Sequence, residues 1–152
     1  MMPDVNRRTF IKGAGLGVMA LSVMPLEAHA TPADVSAAIN KIIGDKALKD
    51  DARLSLVLPE IAENGGTVPL TVSVDSPMSE ADHVTAVHIF CDGNPSPDMA
   101  SYFLGPHNGK AEVAMRIRLM QTQNVVAVAE TSTGEALRAQ VQIKVTLGGC
   151  GG

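Results

Sequence analysis

The chain has 152 residues, 45% of them hydrophobic but only 3% aromatic, so it can bury one core and must fill it with small aliphatic side chains. Sixteen acidic residues against twelve basic ones give a formal charge of -4, and no basic run or aromatic stacking surface is present, which argues against nucleic acid as a partner. Two cysteines, Cys91 and Cys150, are too few for a disulfide framework.

The N-terminus reads Asn6-Arg7-Arg8-Thr9-Phe10-Ile11-Lys12, followed by an apolar stretch from Gly13 to Leu26 and a small-residue cleavage pattern at Ala28-His29-Ala30. Paired arginines ahead of a short, glycine-containing apolar segment form a twin-arginine export signal, and that segment falls short of the roughly 20 residues a membrane span requires. Residues 1–30 are therefore expected to be removed after Ala30, leaving no membrane anchor and a periplasmic chain of formal charge -5, since Arg7, Arg8, Lys12, Asp4 and Glu27 leave with the signal.

Residues 31–50 are assigned to an N-terminal helical segment. Its helix runs from Pro32 to Ile43, with Val35, Ile39, Ile42 and Ile43 at helical spacing, Thr31 as cap and Gly44 as stop. Residues 51–147 change to a period of two. Val68–Val74 alternates with Val68, Leu70, Val72 and Val74 on one face, and Ala111–Leu119 sets Val113, Met115, Ile117 and Leu119 against Glu112, Arg116 and Arg118. Val84–Cys91, Ala100–Leu104 and Val125–Glu130 add strands, and about Leu137–Leu147 closes the series with Val141, Ile143, Val145 and Leu147 inward. Turn residues at Asn64-Gly65-Gly66, Asp92-Gly93-Asn94-Pro95, Gly105-Pro106 and Thr133-Gly134 separate them. Six or seven short strands of this kind predict an all-β, immunoglobulin-like antiparallel sandwich.

The last strand gives way to residues 148–152, Gly148-Gly149-Cys150-Gly151-Gly152. Four glycines leave the segment nothing to pack with, so a mobile arm carrying Cys150 roughly 10 Å beyond Leu147 is expected. No cation or helix start adjoins Cys150 in sequence, and no base is tied to it, so the thiol is exposed but unassisted. That suits a non-catalytic covalent carrier activated by the enzymes that receive it. Cys150 is third from the end and so does not form a prenylation box, while export and the β pattern oppose the ubiquitin-like sulfur carriers that also end in Gly-Gly.

His83, His88 and Cys91 are of metal-ligand type, but on one strand His88 points away from His83 and Cys91, so no metal site is assigned. A buried structural Cys91, satisfied or exposed histidines, and His107 in an exposed loop are expected instead. Arg116 and Arg118 read as a solvated strand face, with the alternative that they greet an anionic partner.

The segments Leu58-Pro59-Glu60-Ile61-Ala62-Glu63-Asn64-Gly65-Gly66-Thr67-Val68-Pro69, His88-Ile89-Phe90, Asn94-Pro95 through Gly105-Pro106, Arg116-Ile117-Arg118-Leu119 and Val126-Ala127-Val128-Ala129-Glu130, together with the Gly-Gly-Cys-Gly-Gly tail and the twin-arginine signal, resemble the SoxY family. The resemblance covers nearly the whole chain. It implies a cofactor-free sulfur carrier of the periplasmic thiosulfate-oxidising Sox system, with thiosulfate-derived sulfur attached at Cys150 and Gly148, Gly149, Gly151 and Gly152 as its flexible arm. It also implies a heterodimer with a SoxZ-like subunit, and visits to a SoxAX-like haem cytochrome, a SoxB-like hydrolase and other periplasmic sulfur-oxidising enzymes. Two alternatives from the residues alone stay open: a periplasmic β-sandwich adaptor in which Cys150 is incidental, and a small redox or metal-binding protein using Cys91 and the histidines.

Overall fold

Helix α1 spans Pro32–Ile43 in a computed structural model of the chain, which describes residues 28–149. Arg7 and Arg8 of the export signal, and Cys150, Gly151 and Gly152 of the arm, lie outside the described residues. The helix starts at a capping box: Asp34 N–H donates to the Thr31 hydroxyl at 3.3 Å, and Thr31 N–H donates back to the Asp34 carboxylate at 2.8 Å. It stops at Gly44, whose φ of 62° suits glycine.

Nine strands follow: β1 Leu48–Asp50, β2 Leu54–Val57, β3 Ile61–Asn64, β4 Val68–Val74, β5 Val84–Cys91, β6 Asp98–Phe103, β7 Ala111–Ile117, β8 Gln123–Thr131 and β9 Ala136–Leu147. One sheet has the order β1-β9-β8-β5-β6, with β3 also paired to β9, and the other has the order β2-β4-β7. The two sheets form the expected sandwich. Between them lie Leu54, Val68, Leu70, Val72, Val87, Ile89, Leu119, Val125, Leu137 and Ile143, all buried.

The helix adds a third layer. Val35, Ile39 and Ile43 pack on Phe90, Val126, Val128 and Ala136 on the outer face of the larger sheet. This cover explains why β5 and β8 are buried on both faces and read as nearly continuous apolar runs, whereas β4 and β7 alternate.

Three local readings change. Leu48–Asp50, grouped with the helical segment, is a strand parallel to the start of β9, with Leu48 opposite Ala136. Ile61–Asn64 is a second short strand parallel to the end of β9, with Asn64 opposite Leu147. Leu147, expected inward, is 69% exposed at the C-terminal end of β9.

Candidate functional site

Three segments converge at the end of β9: the β3–β4 turn at Asn64-Gly65-Gly66, the link Arg118-Leu119-Met120 that follows β7, and Gly148-Gly149, which continue the chain from β9. Backbone hydrogen bonds lace them together. Gly65 N–H donates to Leu147 O at 2.7 Å, Leu119 N–H donates to Gly65 O at 2.7 Å, and Gly149 N–H donates to Leu119 O at 2.9 Å. The turn is shaped by Asn64, whose side-chain oxygen accepts from Gly66 N–H at 2.8 Å.

Glycine is required here for close approach. A Cβ on Gly65 would stand 2.1 Å from Leu119 O, one on Gly148 would stand 2.1 Å from Met120 O, and one on Gly149 would stand 2.6 Å from Arg118 Cγ and 2.9 Å from Gly65 O. Gly149 N–H is bonded to Leu119 O, and the missing side chains leave room for Met120 O beside Gly148 and for Arg118 Cγ and Gly65 O beside Gly149.

The Arg118–Met120 link is itself fixed from below by a buried amide pair. Asn94 Nδ2 donates to Arg118 O at 2.8 Å, and Asn94 Oδ1 accepts from Met120 N–H at 3.1 Å and from Gln123 Nε2 at 2.9 Å. Gln123 Oε1 in turn accepts from Gly93 N–H at 2.8 Å. Asn94 and Gln123 are 8% and 3% exposed, so every one of these groups would be costly to leave unpaired. Sequence reasoning missed this anchor; the signal was the polar Asp92-Gly93-Asn94 connection lying next to a strand that starts with a buried glutamine. Further ties hold the end of β9: Val145 N–H donates to the Thr122 hydroxyl at 3.0 Å, and the Thr146 hydroxyl donates to Ala62 O at 3.1 Å.

The other sequence candidates are dispersed. Cys91 is fully buried, and burial pushes its thiol up to about 11, far from the reactive range. His88, also buried, has Nδ1 against Ser101 Oγ at 2.8 Å and Nε2 against Glu130 Oε1 at 3.0 Å, so both ring nitrogens are engaged. Glu130 also takes the Lys46 ammonium. Burial pushes the Glu130 carboxyl up, but the hydrogen bonds from Lys46 and His88 outweigh it and hold its pKa below the usual value. His83 Nδ1 meets Ser79 O at 3.0 Å, and His107 is exposed in a 3-10 turn, Pro106–Asn108. Among the described residues no three His, Cys, Asp or Glu side chains are placed to hold a metal ion.

Comparison with known proteins connects this geometry to a family. The family model described as sulfur oxidation protein SoxY matches residues 39–150, a span that contains the sandwich, the glycine lacing and Cys150. The chain belongs to the SoxY family. A solved member, the sulfur carrier protein SoxY from Chlorobium limicola f thiosulfatophilum, is 34% identical to this SoxY-family chain, with a TM-score of 0.65 over 76% of this chain and 98% of that one.

Superoxide reductases share the fold with this SoxY-family chain. The neelaredoxin of Ignicoccus hospitalis is 17% identical, with a TM-score of 0.56 over 77% of this chain and 94% of that one, and a putative superoxide reductase from Thermotoga maritima is 16% identical with the same score over 66% and 93%. At that identity the likeness is one of architecture alone. No curated protein sequence matches the chain.

Proposed function

We propose that this chain is a non-catalytic periplasmic carrier that holds thiosulfate-derived sulfur covalently on Cys150 and presents it to the enzymes of a Sox system. The observation that supports this best is the laced base: the body grips the chain up to Gly149, and the family's thiol follows as the very next residue. A carrier needs a rigid body, a short link and a sulfur with no catalytic machinery of its own. The one other cysteine is sealed in the core and cannot compete.

Loading joins the Cys150 thiolate to thiosulfate through a new sulfur–sulfur bond, with two electrons leaving to a SoxAX-like haem cytochrome. Water then attacks the terminal sulfonate on a SoxB-like hydrolase, releasing sulfate and two protons and leaving a persulfide on Cys150. The remaining sulfane sulfur is oxidised or passed on. Delivery into a cleft is aided when Gly149 N–H releases Leu119 O, a step that gives up one hydrogen bond of net worth about 0.5–1.5 kcal/mol and lengthens the free arm. Export by the twin-arginine route, with Arg7 and Arg8 as its signal and cleavage after Ala30, and pairing with a SoxZ-like subunit complete the reading.

Intact-protein mass spectrometry of the exported protein, purified without reductant, tests it. A chain starting at Thr31 with reducible thiosulfonate or sulfane additions confined to Cys150 is expected. A bare Cys150 after incubation with thiosulfate and the native periplasmic extract overturns the carrier role.

A further inference from the structure

A chain of hydrogen bonds runs from an exposed hydroxyl to a buried carboxylate on the outer face of the larger sheet. Ser101 Oγ lies 2.8 Å from His88 Nδ1, and His88 Nε2 lies 3.0 Å from Glu130 Oε1. The carboxylate sets the direction of both bonds. Burial pushes Glu130 up, but the hydrogen bonds from Lys46 and His88 outweigh it and keep the group ionised. An ionised carboxylate only accepts, so Nε2 carries the ring proton, Nδ1 presents its lone pair, and the Ser101 O–H donates to it. The imidazole is 3% exposed and lies between Phe90 and Phe103, with ring centroids 6.4 Å and 6.2 Å away.

The hydroxyl end of this chain is open. Ser101 is exposed and lines a groove between α1 and β6 together with Ala37, Ala38, Lys41, Ile42 and Asp98. Strand β6 is an edge strand. Leu104 N–H donates to Thr85 O at 2.9 Å, so by the alternation of an antiparallel ladder Ser101 N–H, opposite His88, points away from β5 toward the open edge.

We propose that Ser101 is an activated nucleophile that takes one short acyl group from an ester, with His88 as its base and Glu130 as the residue that positions that base. The roles are those of a nucleophile, base and orienting carboxylate, an arrangement defined by geometry and independent of fold. Ser101 Oγ bonds to the carbonyl carbon and the ester's alkoxy C–O bond breaks. The serine proton passes to His88 Nδ1 and on to the departing alkoxide, so nothing is oxidised or reduced. The outward Ser101 N–H is the donor beside the carbonyl oxygen as it turns negative. Ala37, Ala38 and Ile42 offer the acyl chain an apolar wall. None of these residues belongs to the laced turn of Gly65, Leu119 and Gly149, so the inference stands apart from the carrier reading.

The test treats the folded full chain with an alkyl fluorophosphonate, which phosphonylates such serines with loss of fluoride, and locates the adduct by peptide mapping. Ser101 is expected to react about a hundredfold faster than Ser36 and Ser132, the scale of general-base assistance; those two are exposed hydroxyls that donate to backbone carbonyls. In a Cys150→Ser background, where the thiol does not compete, p-nitrophenyl acetate should acetylate the same residue. His88→Gln should bring Ser101 down to the rate of Ser36. Nitrogen NMR of the wild-type chain, which needs no variant to fold, should show His88 protonated at Nε2 and bare at Nδ1. Glu130→Gln should slow labelling and move the His88 ring signals toward the other tautomer, a shift that a merely structural role would not cause. Equal labelling of the three serines, no labelling of Ser101, or a wild-type His88 protonated at Nδ1 overturns the proposal.

Discussion

Gly65 and Leu119 lie so close that a single added carbon cannot fit: Leu119 N–H donates to Gly65 O at 2.7 Å, while Leu119 O occupies the space 2.1 Å from a Gly65 Cβ. Gly65→Ala must therefore move backbone rather than a side chain. An overpacking loss of about 1–3 kcal/mol is expected, read as a lower denaturant midpoint at unchanged m value. The same variant should become more susceptible to proteolysis after Leu147, because the Gly65 N–H that holds Leu147 O shifts with it.

Gly149→Val should impair loading of Cys150 without unfolding the domain. Its side chain would meet Arg118 Cγ and Gly65 O and would push the arm off its base. The thermal midpoint is expected to fall by only a few degrees, since the contact lies at the surface, while the loading rate with thiosulfate drops severalfold. Loading at the wild-type rate would remove the steric argument.

Asn94→Ala leaves Arg118 O and Met120 N–H without their partner in a part-buried setting and leaves Gln123 Nε2 only its bond to Gln121 O. Each orphaned buried group costs about 1–3 kcal/mol, so a loss of about 3 kcal/mol is expected in chemical denaturation. If the anchor positions the arm base, slower amide exchange at Leu119 and Gly149 in the wild type should become fast in this variant at denaturant levels where β8 stays protected.

The Glu130 carboxyl titrates below its usual value of 4.5 because Lys46 and His88 bond to its charged form against the cost of burial. A depressed carboxyl pKa contributes stability that is present above the usual value and lost as pH falls through the folded one. Glu130→Gln should thus be less stable than wild type near neutrality and should flatten the decline of the thermal midpoint between about pH 5 and pH 3. An identical slope in the variant would assign the acid sensitivity elsewhere.

Cys91, with its thiol pushed up to about 11 and no exposed surface, should stay unmodified by iodoacetamide near pH 8 while the chain is folded and react only after denaturation. Cys91→Ser should leave native labelling unchanged, as judged by peptide mapping.

The helix and the two-faced strands were readable because each carries its own periodicity: Val35, Ile39 and Ile43 make a helical stripe, and Val68, Leu70 and Val72 alternate with polar neighbours. Strands β1 and β3 were not separated out as elements. They are three and four residues long, and they exist only because β9 supplies a parallel partner more than eighty residues away. The set of contacts that holds the end of β9 was not legible in the sequence. Asn94, Gln123 and Gly65 act through tertiary hydrogen bonds that leave no local pattern, and paired glycines read equally well as freedom or as crowding until their neighbours are known.

Strand β9 has β8 along one edge and both β1 and β3 along the other. Tension applied at its C-terminal end therefore runs along a strand in the middle of a sheet, where many cross-strand bonds resist in shear together instead of peeling one at a time. A pull on the end of β9 meets a mooring rather than a seam.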